Sequence, residues 1–214
     1  MTERLQKAVD IAKKYHEWQV RKCWADYVNH PLRVMRFLEE YWFPEDVLIV
    51  WVLHDICEDT ELTVLDVNRL FWTRIWFMIN ALSKNHKPKD HKKLKVEYLE
   101  KHNKEKISNL ENYETFEEFI DFRFHLYINR LYMWIIAEPW VLFVKIWDQI
   151  DNLSDMWAFS SDKKLRKIEE VEKYFLPIYE KAESVFLMDS KYNKKYNEFI
   201  KLLKDLIAEV KNNI

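Results

Sequence analysis

The run from Val52 to Thr60, VLHDICEDT, holds the chain's densest set of residues that could do chemistry. His54 and Asp55 are adjacent, and an imidazole and a carboxylate can both ligate one divalent cation. Glu58 and Asp59 follow one helical turn later. On a helix, positions four apart share a face, so His54 is expected to stack with Glu58 and Asp55 with Asp59. The chemistry that such a group supports is metal-dependent hydrolysis, with carboxylates placed to orient water and move protons. A helical His-Asp pair alone is at least as compatible with a hydrogen-bonded core histidine and a capping aspartate. Four polar residues inside an otherwise apolar helix are harder to dismiss, because buried carboxylates without a partner are costly and a cation would resolve that cost.

Two other places offer groups that could complete the site. His30 precedes Pro31 at a helix start, and Asp148 and Asn152 stand at i and i+4 in the apolar stretch VKIWDQIDNL. His30, His54, Asp55 and Asp148 give mixed imidazole and carboxylate ligation. That set suits manganese, iron or zinc and leaves positions for water and a phosphate oxygen. His86, His91 and His102 lie in a lysine-rich polar region and read as a solvated loop. Cys57 reads as a buried structural thiol.

Taken in order, AKKYHEWQVRKCWADYVNHP, VLHDICEDT and VKIWDQIDNL resemble the HD superfamily of phosphohydrolases. Within it, the chain is similar to the hydrolase domain of the RelA/SpoT homologues and their small stand-alone relatives, over roughly Ala8 to Met156. The resemblance implies that His30, His54, Asp55 and Asp148 are the metal ligands and that Glu58 and Asp59 are the acidic pair beside the attacking water. It further implies that Arg21 and Lys22 contact the substrate's phosphate or base, and that Asn152 lies in the substrate cleft. Read without it, Arg21-Lys22 is an ordinary solvated basic pair. The implied reaction is removal of the 3′-pyrophosphate from the guanosine alarmones ppGpp and pppGpp, or from a related nucleotide, with Mn²⁺ or another divalent transition metal. Gln149 departs from the pattern, which has a basic residue there.

The elements that must position these residues read as helices throughout. Leu5, Val9, Ile11, Ala12 and Tyr15 trace an apolar stripe. Pro31 suits a helix start. Pro44 opens a helix with Glu45 and Asp46 in its first turn, expected to run through Val47 to Cys57. Thr63 begins a cap-like TVLD, and a helix from Trp72 to about Ser83 follows. Residues 85 to 112 are the most polar, part helix and part loop. Further helices are expected from Thr115 to Met133, after Pro139, near Lys163 to Phe186 and from Ser190 to Asn212. Pro177 should kink or break the helix that contains it. The expectation is an all-α, compact multi-helix bundle, with a core over residues 1–160 and C-terminal helices over 161–214 packed on or extending it. No second active site is expected after Met156.

The chain has 214 residues, 49% of them hydrophobic and 33% charged, and a formal charge of -2. That suits one domain, and the charge gives no pull toward nucleic acid or anionic membrane. No leader and no membrane-spanning stretch are visible, and two cysteines make no disulfide framework, so the expected setting is the cytoplasm; the partner that the resemblance implies is a nucleotide. The anomaly is glycine: there is none, beside ten tryptophans, where average usage predicts roughly 15 glycines. Trp18, Trp24, Trp42 and Trp72 stand at turn-like places, and the family pattern has glycine at 18 and 24. The chain therefore reads as one in which glycines were replaced by tryptophan, with Trp51 and Trp147 close enough to the ligands to obstruct them. Two other functions remain open at this point. One is an HD-type 5′-nucleotidase, and the other is an inactive or engineered helical scaffold that retains the motif.

Overall fold

The computed structural model describes residues 1–21, 24–71, 73–83, 116–186 and 190–214. Among them the regular elements are helical. They are α1 (Glu3–Tyr15), α2 (Asn29–Glu40), α3 (Glu45–Leu53), α4 (Ile56–Asp59), α5 (Val64–Leu70), α6 (Thr73–Leu82), α7 (Phe116–Ala137), α8 (Trp140–Ser154), a 3-10 turn (Met156–Ala158), α9 (Ser161–Glu170), a π segment (Val171–Phe175), α10 (Leu176–Phe186) and α11 (Ser190–Asn212). The only extended pairing among the described residues is the isolated bridge between Val20 and Asp26. The all-α expectation holds.

Local chemistry explains most boundaries. Thr2 caps α1 by accepting the Leu5 N–H, and Thr63 forms a reciprocal capping box with Asp66 at the start of α5, which satisfies amides that a helix start leaves open. Helix α2 ends with Tyr41 as its cap. Trp42 follows at φ 58°, with Trp42 N–H donating to Glu39 O and Phe43 N–H to Leu38 O. That double bond pattern is the one that normally places glycine in the left-handed position.

Helices α3 and α8 form the centre. Residues 47–53 of α3 are all buried, as are thirteen of the first fourteen positions after Pro139. Helices α1, α2 and α6 pack on α3, and α11 packs along α8. Phe199 of α11 meets Phe37, Phe143 and Trp147, and Lys195 donates to the carbonyl of Tyr41.

Two expectations need correction. The helix through the His-Asp pair is not continuous to Cys57. Helix α3 ends at Leu53, and His54 and Asp55 form a turn before α4. The carbonyl of Trp51, which an unbroken helix would offer to the Asp55 amide, takes the His54 N–H and the His54 Nδ1–H. Pro177 does not break its helix either. The chain passes it through the π segment, whose Leu176 N–H reaches back to Val171 O, an adjustment suited to a proline that lacks the helical N–H. The polar stretch 85–112 and Trp72 lie outside the described residues. No helix among the described residues is long and apolar enough to cross a membrane.

Candidate metal centre and cleft

The four proposed ligands come from three separate stretches: His30 from the first turn of α2, His54 and Asp55 from the turn between α3 and α4, and Asp148 from the middle of α8. Each offers one ligand atom, and the four atoms lie within 4.8 Å of one another. His30 Nε2 is 3.9 Å from Asp55 Oδ2 and 3.8 Å from Asp148 Oδ1. His54 Nε2 is 3.1 Å and 3.5 Å from the same two oxygens.

Both imidazoles are turned to this point by a bond at the opposite nitrogen. His54 Nδ1 donates to Trp51 O at 2.7 Å, and His30 Nδ1 donates to Asp151 Oδ2 at 2.5 Å. Among the described residues, the Nε2 atoms of both are buried with no hydrogen-bond partner. Two orphaned ring nitrogens facing two carboxylate oxygens fit a divalent cation.

Neighbouring groups hold the carboxylates. Tyr27 Oη donates to Asp55 Oδ2. Lys145 Nζ donates to Asp148 Oδ2 at 2.6 Å and Asn152 Nδ2 to Asp148 Oδ1 at 2.6 Å. Burial pushes the Asp148 carboxyl upward, but Lys145 and the histidines outweigh it and hold it well below the usual range. Burial likewise works against the charged form of His54, yet Asp55 and Asp148 raise its pKa well above 6.5. Asp59 moves the other way: burial and the charge of Asp55 raise it above the ordinary carboxylate value.

Asp55 and Asp148, the two carboxylates of the cluster, line a cavity of about 300 Å³. Glu58, Asp59, Arg21 and Asn152 also line it. Arg21 donates to Asn152 Oδ1 at 3.1 Å and lies 3.2 Å from Asp155 Oδ2. Gln19 donates to the backbone carbonyl of Asp59 at 2.9 Å, tying the loop after α1 to the acidic turn. Lys22 lies outside the described residues.

Sequence reasoning missed several residues. Lys163 and Lys167 also line the cavity, as does Phe159. Their i, i+4 spacing on α9 was the available signal. Lys145, Tyr27 and Asp151 were also missed, although Lys145 and Asp151 are charged residues in an apolar helix, the same signal that exposed Asp148.

The tryptophans do not close the cleft. None lines the cavity. Trp51 is fully buried, stacks on His54 and donates its indole N–H to Pro31 O at 2.9 Å. Trp147 packs between Phe37 and Phe199. Trp18, Trp24, Trp42 and Trp157 are exposed, and Trp24 and Trp42 are the two described residues with positive φ, at 65° and 58°. Trp18 has no such backbone.

No family model matches the chain. It is 26% identical over 176 residues to a guanosine-3′,5′-bis(diphosphate) 3′-pyrophosphohydrolase of Aquifex aeolicus, a match covering 82% of this chain and 21% of that protein. It is 24% identical over 176 residues to the bifunctional (p)ppGpp synthase/hydrolase SpoT of Escherichia coli, again covering 82% and 21%. The chain thus spans about a fifth of the length of these curated relatives. Among solved structures it is similar to a metazoan SpoT orthologue described as hydrolysing ppGpp and playing a role in starvation responses, with a TM-score of 0.60, 19% identity, and coverage of 94% of this chain and 96% of that one. The chain has the all-α HD fold of that hydrolase, and its sequence resembles the SpoT-like pyrophosphohydrolases.

Proposed function

We propose that this chain is a divalent-metal-dependent phosphohydrolase that removes the 3′-pyrophosphate from ppGpp, pppGpp or a related nucleotide. The observation that carries the reading is the convergence of four ligand atoms, two of them orphaned buried imidazole nitrogens and the other two on carboxylates that line a cleft. His30, His54, Asp55 and Asp148 would hold the metal, with Mn²⁺ the favoured ion. A cation there supplies Lewis acidity toward the phosphoryl group and a more acidic water. Asp59, raised by its surroundings, accepts and returns a proton, and Glu58 beside it helps orient the nucleophile. Arg21 presents a guanidinium able to make paired hydrogen bonds to phosphate. Lys163 and Lys167 add positive charge to the cavity lining, as a polyphosphate requires. Asn152 links Arg21 to Asp148, so substrate position and ligand position are mechanically joined. Residues 161–214 extend the 1–160 core as one unit in this reading, supported by the packing of Phe199 and by the cleft wall that α9 contributes.

The test is a substrate panel with Mn²⁺, Mg²⁺, Zn²⁺ or Fe²⁺ added singly. Pyrophosphate released from ppGpp, with GDP as co-product, is the expected result, and Asp55→Ala should abolish it. Turnover confined to nucleoside monophosphates would instead identify a 5′-nucleotidase. A folded, metal-loaded protein with no turnover would leave the scaffold reading.

A further inference from the structure

We infer that Asp151 is the positioning residue for the metal-binding imidazole of His30, and that Arg33 in turn locks the Asp151 carboxylate. The inference rests on the metal-site reading above.

The geometry is specific. Asp151 is 7% exposed in the middle of α8. Its two oxygens take three donors. Oδ1 accepts from Arg33 Nε at 2.8 Å, and Oδ2 accepts from Arg33 Nη2 at 2.7 Å and from His30 Nδ1 at 2.5 Å. Arg33 is anchored again through Asp155 Oδ2 at 3.0 Å. The result is a chain of contacts from α8 through Arg33 and Asp151 to the ring of His30.

Packing cannot do this job. The His30 ring sits 1% exposed among Tyr27, Trp51 and His54. These neighbours fix the plane of the ring, but a flipped imidazole has almost the same shape and exchanges nitrogen for carbon positions. Only the bond to Asp151 distinguishes the two orientations. It keeps the proton on Nδ1 and turns the bare Nε2 toward Asp55 and Asp148. Carboxylate partners of this kind orient metal-bound histidines generally, and their loss typically weakens metal affinity about 10–100-fold.

The chemistry also predicts what removing the carboxylate does. A leucine at 151 keeps a similar volume and removes both acceptors. A proton on His30 Nδ1 then has no acceptor at 151, whereas on Nε2 it faces the Asp55 and Asp148 oxygens. The ring then carries its proton on Nε2, where the metal belongs.

The alternative role for Asp151 is a structural ion pair joining α2 to α8. Three proteins separate the two roles: the parent chain, Asp151→Leu and Arg33→Met. Each is measured by calorimetric Mn²⁺ titration and, metal-free, by nitrogen-15 NMR of the histidine rings, with His30 assigned by its absence from His30→Gln. The parent should carry its His30 proton on Nδ1. Asp151→Leu should move that proton to Nε2 and weaken Mn²⁺ binding about 10–100-fold. Arg33→Met should lower thermal stability while keeping the proton on Nδ1, because the bond to Asp151 survives. If Asp151→Leu binds Mn²⁺ as the parent does with its proton still on Nδ1, the inference is overturned and the metal reading stands. Should Asp151→Leu fail to fold, the parent decides: a His30 proton on Nε2 overturns the inference. A parent that binds no divalent metal overturns the proposed function, and that result appears before any variant is made.

Discussion

His54 donates its Nδ1 proton to the carbonyl of Trp51 at 2.7 Å, and the indole of that same tryptophan stacks on the imidazole with ring centroids 4.6 Å apart. The backbone thus sets which nitrogen of His54 faces the carboxylates. Burial alone would lower the pKa of this histidine, but Asp55 and Asp148 hold it well above the ordinary 6.5. A metal must therefore displace a proton from Nε2. Metal affinity should rise about tenfold per pH unit below the folded pKa of His54, with proton release visible as a buffer-dependent heat of binding. An affinity that ignores pH would remove His54 from the ligand set.

The same shift has a consequence for the metal-free fold. A raised folded pKa contributes stability that is fully present below about 6.5 and is lost as pH rises through the folded value. Metal-free protein should therefore melt at lower temperature on the alkaline side, and saturating metal should flatten that decline. Asp151 gives the opposite limb. Burial pushes its carboxyl up, but bonds from His30 and Arg33 bring it from 3.8 down to about 2. Its contribution, roughly 2 kcal/mol, is present above pH 3.8 and should disappear as pH falls toward 2. Acid titration of Asp151→Asn, followed by circular dichroism, should lack that limb.

Lys145 and Asp148 form a buried pair at 2.6 Å. Removing the cation alone strands a carboxylate, so Lys145→Met should cost about 3–5 kcal/mol in the metal-free state. Bound metal supplies part of the missing positive charge. The gain in melting temperature on adding metal should accordingly be larger in Lys145→Met than in the parent, and equal gains would separate Lys145 from the centre.

Trp24 and Trp42 hold left-handed backbone, which costs a residue with a Cβ roughly 1–2 kcal/mol. Trp24→Gly and Trp42→Gly should each recover about that amount, offset in part by the entropy of glycine in the unfolded chain, or about 2–4 °C per kcal/mol in a chain of this size. Trp18→Gly should show no such gain, since Trp18 is as exposed but lies at ordinary φ. Thermal melts of the three variants would decide the matter.

Much of this was legible in the sequence because the signals were local. Helix starts at Pro44, Thr63 and Pro139 are written in single residues and their immediate neighbours. The ligands were legible because polar groups in apolar helices stand out, as Asp148 does in VKIWDQIDNL. What was not legible depended on pairing across the chain. Asp151 stands in the same apolar stretch as Asp148, but its role shows only when α2 brings Arg33 and His30 to it. The break in the His-Asp helix depends on His54 capturing a carbonyl three residues back, which no periodicity records. Trp51 looked like an obstruction only because its side-chain direction was unknown; the structure sends it into the core. Residues 85–112 and Lys22 lie outside the described residues.

His30 and Asp151 are separated by 121 positions in the chain, and the four proposed ligands lie on α2, the α3–α4 turn and α8. Such a cluster assembles only when distant segments have already met, so it carries a high loop-closure cost and a high contact order. A partly folded chain with every helix formed but α8 undocked from α2 would keep its helical signal and lose any ion the cluster held. Cation retention would therefore work as a checkpoint on completed tertiary assembly, and an ion bound there, having no comparable home in the unfolded chain, would stabilise only the finished product.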